Sequence, residues 1–572
     1  MKMISKIAKA TLGLVLIGSS SVFAQSLADA KKAIDAEQYQ KAKSMLKNLT
    51  TTQADKDENF FYLGWVYIKQ DYTDSAKAAF NKGIAVNPKS GLNYAGLGAV
   101  ARLDKDKAGA TTNFNQAVAL AGKNAKPYVF VGKAYLLPVT ADGKVSVDDA
   151  SAAIAVLQKG KVVAPKDVEL LITLGDAYAS QIKSNEAYQA YSDASTIDPK
   201  NPAAKVATGV LWRYANNFTD SEQQFKDALA IDPNYGPAYR EWAETDNRWA
   251  NTDPKEASTK IKAAVEQYKK YISLTDQSPE SQMRYADFLI SAGQYAELQP
   301  VAADLVKSAR SNLRAYRYQA YAAYENKDYP TALTAMNTWL AKAEPKRIVP
   351  RDYLYLGRIQ MASGQDSVGI NTLKKALELD STQTDVYGEI AKSLYGQKKY
   401  KGAGDAYAAF IAKSRKATLN DYLREGTSYY FAYQDQYFSK ATPKPTPDST
   451  LLTKADSAFS YIQHKAANPI GAVAIFQARA NDYKEADRNN IKGFAKPYYE
   501  QYIQIVTAKS PVADADKKNL AEAYAYLGAF YEFKEKDDAK AAENYTKARD
   551  NDPTNKQAAA YFSRKGGAGK SK

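Results

Sequence analysis

The 572-residue sequence predicts an all-α protein built as a one-dimensional stack of helix pairs. Three observations predict it. Small and aromatic residues recur in one order at 34-residue steps, a period that belongs to helix–turn–helix arrays. Tyr is in excess, 43 against 18 Phe and 5 Trp, and the excess follows that recurrence. Cys is absent, so neither a disulfide nor a thiolate metal site braces the chain, and stability has to come from packing. With 45% hydrophobic and 25% charged residues the composition is globular, not disordered.

The N-terminus reads as a secretory signal over residues 1–24. Lys2, Lys6 and Lys9 precede the apolar run Ala10 to Ile17, and Val22-Phe23-Ala24 offers small residues where a signal peptidase cuts. That run is too short for a stable membrane anchor, and no later segment predicts a transmembrane helix. The expected location is therefore the periplasm or the cell surface. The formal charge of +15 falls to +12 once the three signal lysines are set aside. For an exported chain this excludes nucleic acid as the expected partner and leaves acidic proteins, anionic polymers or a simple Lys-rich solvated surface.

The array occupies residues 25–565. Its clearest unit carries Phe60, Leu63, Gly64 and Tyr67, then Ala76, Phe80, Gly83 and Pro88. The same order returns at Tyr94, Leu97, Gly98, Ala110 and Phe114, at Gly132 and Tyr135, and at Leu174, Gly175, Tyr178, Ala187 and Tyr191. Further copies centre on Gly209, Tyr239, Tyr316, Gly357, Tyr387 and Gly528, with weaker ones near Leu46, Ala286, Gly426 and Tyr499, for about fourteen units in all. Gly or Ala at the Gly64 and Ala76 positions lets two helices approach, the large residues fill the space between units, and Pro88 stops the second helix. Insertions interrupt the rhythm near 138–147, 249–256 and 434–452, each between the first and second helix of a unit. The last includes Thr442-Pro443-Lys444-Pro445-Thr446-Pro447, which favours a stiff extended loop. Residues 566–572 predict a flexible tail.

This pattern resembles the tetratricopeptide repeat, W-x-x-L-G-x-x-Y followed by A-x-x-x-F-x-x-A and Pro, with Phe60 standing for Trp and Gly83 for the last Ala. The signal, the length and the Lys/Tyr-rich style look like exported repeat proteins of Gram-negative bacteria, Bacteroidota especially. The resemblance implies a right-handed α-solenoid whose stacked first helices line a concave groove that binds partner segments. Its groove positions lie six and three before the signature Gly, then one, four and five after it. In the early units they are mixed, with Glu58, Phe61 and Trp65, then Lys69, Arg102, Lys126, Lys133, Glu169 and Asp176. From Arg213 onward they turn Arg-rich: Arg213 with Tyr214, Arg240 with Arg248, Arg314 with Arg317, Tyr321 and Tyr324, and Arg351 with Arg358. Eight of the 17 Arg fall on such positions where about two would by chance, so Arg is placed inside and Lys coats the outside.

An Arg/Tyr trough of this kind favours an acidic peptide, because the planar guanidinium holds carboxylates bidentately and stacks on Tyr. The competing reading is that these Arg pair with Glu241, Glu244 and Glu325 and brace the array. The expected function is a protein-interaction scaffold or adaptor outside the cytoplasm; the alternative is a binder of anionic envelope polymer or an outer-membrane assembly factor. No catalytic residues, metal site or cofactor are expected. The single His464 excludes multi-histidine metal sites, no Gly-rich loop follows a strand, and no carboxylate pair is placed for acid/base work.

Overall fold

The computed structural model describes residues 26–137, 144–308, 312–485, 487, 490–509 and 511–567. The expected signal, part of the first insertion and the last five residues lie outside the described residues. Among the described residues there are 29 α-helices, fourteen successive pairs and a final Lys556–Gly567, which carries helix into the stretch expected as a flexible tail. The chain divides into two compact units, Met1–Ala322 and Ala323–Lys572, with the division inside the helix Arg314–Glu325.

Each pair is the signature pattern made physical. In the pair Asp57–Lys69 and Thr73–Val86, Phe80 lies over Gly64 so closely that a Cβ there would stand 2.4 Å from its ring. Gly175 against Tyr191 repeats this at 2.3 Å. The second-helix ring thus occupies the space the glycine leaves, which explains why small and large alternate along the sequence. The pairs stack with their apolar faces merged, so one core runs from Ala30 to Ala177 in the first unit, and another from Ala474 to Tyr561 in the second. No pair could bury its face alone.

The turn inside a pair has its own recurring signature. A residue with positive φ sits at Glu37, Asp71 and Lys105, then at Ile182 and Asn216, and again at Gly293 and Lys327. Within each run the step is 34 residues. The left-handed residue lets the chain reverse in three residues.

The Tyr excess has a polar reason as well as an apolar one. Buried Tyr rings reach across helices so that the hydroxyl donates to a carboxylate, within a pair for Tyr191 to Asp176 at 2.8 Å, and between pairs for Tyr318 to Asp287 at 2.9 Å, Tyr355 to Glu325 at 2.7 Å and Tyr499 to Glu522 at 2.9 Å. Phe would pack there but forgo the hydrogen bond to the carboxylate.

The insertions differ in kind. Near 249–256 the expected loop is mostly helix: Gly236–Thr252 and Ala257–Leu274 are each lengthened, leaving four residues between them. Trp249 in the added turn stacks on Phe218 at 5.4 Å, which gives the extra helix something to pack on. Near 434–452 the helix Leu419–Tyr437 also runs on, and the connection is 438–449. The pattern missed another long connection, 483–495, between Gly471–Asp482 and Lys496–Thr507. There the Glu485 carboxylate accepts from the backbone N–H of Lys492 at 2.6 Å and Phe494 at 2.7 Å and from the Tyr526 hydroxyl.

Candidate functional site

The first helices of successive pairs present a ladder of opposite charges. Lys126 and Lys133 lie seven residues apart, two turns on one helix face, and both reach Glu169 on the next first helix, Lys133 at 2.6 Å. Arg213 reaches Glu241 at 2.7 Å, and Arg240 reaches the same carboxylate at 2.9 Å. Glu244 takes Arg284 at 2.5 Å and 2.7 Å as a bidentate pair, and Asp287 takes Arg314 at 3.0 Å. In the second unit Arg358 pairs bidentately with Glu389 at 2.6 Å and 2.9 Å.

Four of the Arg predicted to form an anion trough are therefore ion-paired, Arg213, Arg314 and Arg358 to the neighbouring pair and Arg240 to Glu241 on its own helix. Arg213 and Arg248 also flank the exposed ring of Tyr214, at 5.2 Å and 5.8 Å, and Arg248 Nε donates to Asn216 at 3.0 Å. Exposed Arg351 lies 5.6 Å over the Tyr355 ring, and Tyr324 meets that ring edge-on at 5.5 Å. Arg317 is half-buried. Tyr321 is a correction: at 2% exposure it belongs to the core, because Ala315, Tyr318 and Ala322 on the same side of the helix are packed. Of the bracing candidates Glu241, Glu244 and Glu325, the first two hold Arg and Glu325 accepts from Tyr355 at 2.7 Å; Glu37, Asp287 and Glu389 were not among them. The 27- to 31-residue spacing to Arg314, Arg213 and Arg358 is the signal that finds three of these carboxylates.

Glu37 has no such signal. It sits in the turn between Leu27–Asp35 and Tyr39–Thr52, and it accepts from Arg240 at 2.6 Å and from Tyr271 at 2.9 Å. Gln40 N–H donates to Asp276 at 2.8 Å, and Gln70 donates to the same carboxylate at 3.3 Å. The first pair thus docks on the seventh. Gly236 eases this approach, since a Cβ there would stand a tight 3.0 Å from the Ala36 carbonyl oxygen.

Closure encloses charge. A cavity of about 790 Å³ opens among the first helices of this unit, lined by Asp35, Lys126, Lys133, Glu169, Asp176 and Tyr235 among others. Burial pushes the Asp35 and Asp176 carboxyls up to about 6. Burial acts the same way on Glu169, but Lys133 and Lys126 outweigh it and hold that carboxyl down to about 2. Both Asp35 and Asp176 are nonetheless open to solvent, so the enclosure is a wet lumen, not a sealed core. It holds ionised groups of both signs ready to meet charged or amide groups of a ligand.

Among the described residues no cluster of three or more His, Asp or Glu is placed to hold a metal, and no helix is long and apolar enough to cross a membrane. No protein-family model and no curated protein matches the chain. Solved structures do match it in part. The C-terminal part of a TPR repeat-containing protein from Cytophaga hutchinsonii is 28% identical over 48% of this chain and 98% of that one, with TM-score 0.33. A thermophilic TPR protein of Thermus thermophilus is 19% identical over 33% of this chain and 98% of that one, with TM-score 0.29. YrrB, described as a TPR protein with an unusual peptide-binding site, is 17% identical over 34% of this chain and 95% of that one, with TM-score 0.22. The fold assignment itself rests on what the chain shows internally: helices packed in sequential pairs, 34-residue turn spacing, and a large side chain seated on each signature glycine, a ring on Gly64, Gly98, Gly175, Gly209 and Gly528 and a leucine on Gly132 and Gly357.

Proposed function

We propose that the protein is a non-catalytic scaffold, exported from the cytoplasm, that holds a segment of a partner protein in the lumen of its N-terminal unit. The observation that carries this reading is the cavity around Lys133, Glu169 and Asp176. Its volume suits a short peptide stretch, its walls come from first helices, and it gathers charged groups of both signs around one space. The Arg trough expected from the sequence is the weaker site for an acidic segment, because its guanidiniums already hold Glu37, Glu241, Asp287 and Glu389. Export is supported by the charge, apolar run and small-residue pattern of residues 1–24.

Two measurements test the reading. Fractionation with N-terminal sequencing of the mature chain should find it outside the cytoplasm and beginning at Gln25; a cytoplasmic chain with its first 24 residues intact rejects export. Affinity capture from the native envelope should recover a partner with the wild type and lose it with Lys133→Ala/Asp176→Ala. A variant that combines Arg314→Ala and Arg358→Ala should keep that partner. The reverse outcome would move the site to the Arg residues.

A further inference from the structure

The second unit contains a cavity of different character. About 840 Å³ in size, it is walled by seven rings, Tyr430, Phe431, Tyr433, Tyr437, Phe438, Phe476 and Tyr483. The rings come from two successive first helices and the residue that follows each of them. Tyr483 is the hub. Its ring centroid lies 5.2 Å from Tyr437, 5.4 Å from Tyr433, 6.0 Å from Tyr430 and 6.5 Å from Phe438. Gln434 fixes the hub by donating to the hydroxyls of both Tyr430 at 2.8 Å and Tyr483 at 3.0 Å. At the mouth the rings stay open: Tyr437 is 41% and Phe438 63% exposed, unusual for side chains with so many aromatic neighbours.

Among the described residues, the charged groups of the lining besides Asp482 are one guanidinium, Arg479, and the carboxylates of Glu485 and Glu522. Arg479 is bound bidentately to Glu522, at 2.9 Å and 2.6 Å, and donates to Asn519 at 2.8 Å. Glu485 is held by backbone N–H groups and by Tyr526, with no cation on it among the described residues. Aromatic faces are electron-rich, and beside carboxylate they attract a cation strongly. The chain shows this affinity itself, since Lys444 of the proline-rich connection places its ammonium 5.3 Å from the Tyr437 ring centroid.

We propose that this cavity takes the cationic side chain of a lysine or arginine in a partner segment, seated among Tyr433, Tyr437 and Tyr483 and drawn by Glu485 and Glu522. The proposal rests on the scaffold reading, and it gives the second unit a preference opposite to the acidic partner that Arg enrichment alone suggests. A guanidinium or ammonium there replaces part of its hydration by ring faces and carboxylates, whereas a neutral side chain of the same shape gains only contact.

The test uses the full chain and two fluorescent Gly/Ser peptides, one carrying three arginines and one carrying three citrullines in their place. Fluorescence polarisation should show the arginine peptide binding at least about fivefold more tightly. Tyr437→Ala/Phe438→Ala, which alters only exposed rings, should abolish that preference, and Tyr437→Phe should retain it. Equal binding of the two peptides, binding of neither, or a preference that survives the double substitution overturns the proposal. Should the double variant fail to fold, the wild-type comparison and Tyr437→Phe still decide. The result is separable from the scaffold reading, which is tested in the other unit: a lost arginine preference with partner capture through Lys133 intact rejects this cavity alone.

Discussion

Arg240 and Glu37 lie 203 residues apart in the chain and are joined at 2.6 Å, so the seventh helix pair is tied to the first. The join makes the N-terminal unit more than a string of neighbours, because nearest-neighbour stacking alone brings no such contact. Replacing Glu37 by Ala removes the acceptor of both Arg240 and Tyr271. With Arg240 about a third exposed and still held by Glu241, the expected cost is about 1–2 kcal/mol, well short of a fully buried pair. Denaturant unfolding measures that cost. Hydrogen exchange should quicken at residues 36–40 and 271–276 while the second unit is unchanged.

Ile182 offers a prediction of the opposite sign. It sits in the left-handed turn at φ 61° with its β-branched side chain 87% exposed, so it carries strain that no packing repays. Ile182→Gly should raise stability by about 1 kcal/mol, read as a higher denaturation midpoint with an unchanged slope. An unchanged or lower midpoint would mean that the turn is not strained.

Gly64 tests the packing rule behind the repeat. A methyl group there meets the Phe80 ring at 2.4 Å, and Phe80 is fully buried with no room to withdraw. Gly64→Ala should therefore destabilise by about 1–3 kcal/mol despite the better helix propensity of Ala. The double variant Gly64→Ala/Phe80→Leu should recover part of the loss.

Asp246 predicts a pH dependence. It is fully buried, no donor reaches it among the described residues except Lys260 at 3.7 Å, and Glu222 lies beside it. Burial, then the Glu222 carboxylate, push its carboxyl far above the ordinary 3.8. The folded state thus keeps a proton that the unfolded chain has given up. Its contribution is fully present below pH 3.8 and is lost as pH rises toward the raised folded value. Asp246→Asn should flatten that decline and make the protein more stable than wild type at pH 7 to 8, while leaving pH 3 to 4 unaffected.

What the sequence disclosed and what it concealed divide along physical lines. Helix pairs, their order and the small–large alternation at Gly64 and Phe80 are local, so a 34-residue period exposes them. That Arg213, Arg240, Arg314 and Arg358 fall on first helices was legible for the same reason. Their neutralisation was only half legible, because it depends on which carboxylate of the next helix lies opposite, and Glu37 arrives from the far end of the unit. The aromatic cavity around Tyr483 was hidden for another reason. Tyr430, Tyr433 and Tyr437 look like ordinary core spacing, and only the inserted residues after Asp482 carry Tyr483 to a place where those rings converge.

The lumen of the N-terminal unit is the central claim, and a photo-crosslinking residue placed in it tests that claim most directly. Ile172 lines the cavity, whereas Val162, 84% exposed on a second helix, does not. With benzoylphenylalanine at Ile172, irradiation of intact cells should yield one discrete adduct with a partner protein, and Lys133→Ala/Asp176→Ala should abolish it. The same residue at Val162 should yield none. Adducts from Val162 and none from Ile172 would contradict the lumen as the binding surface.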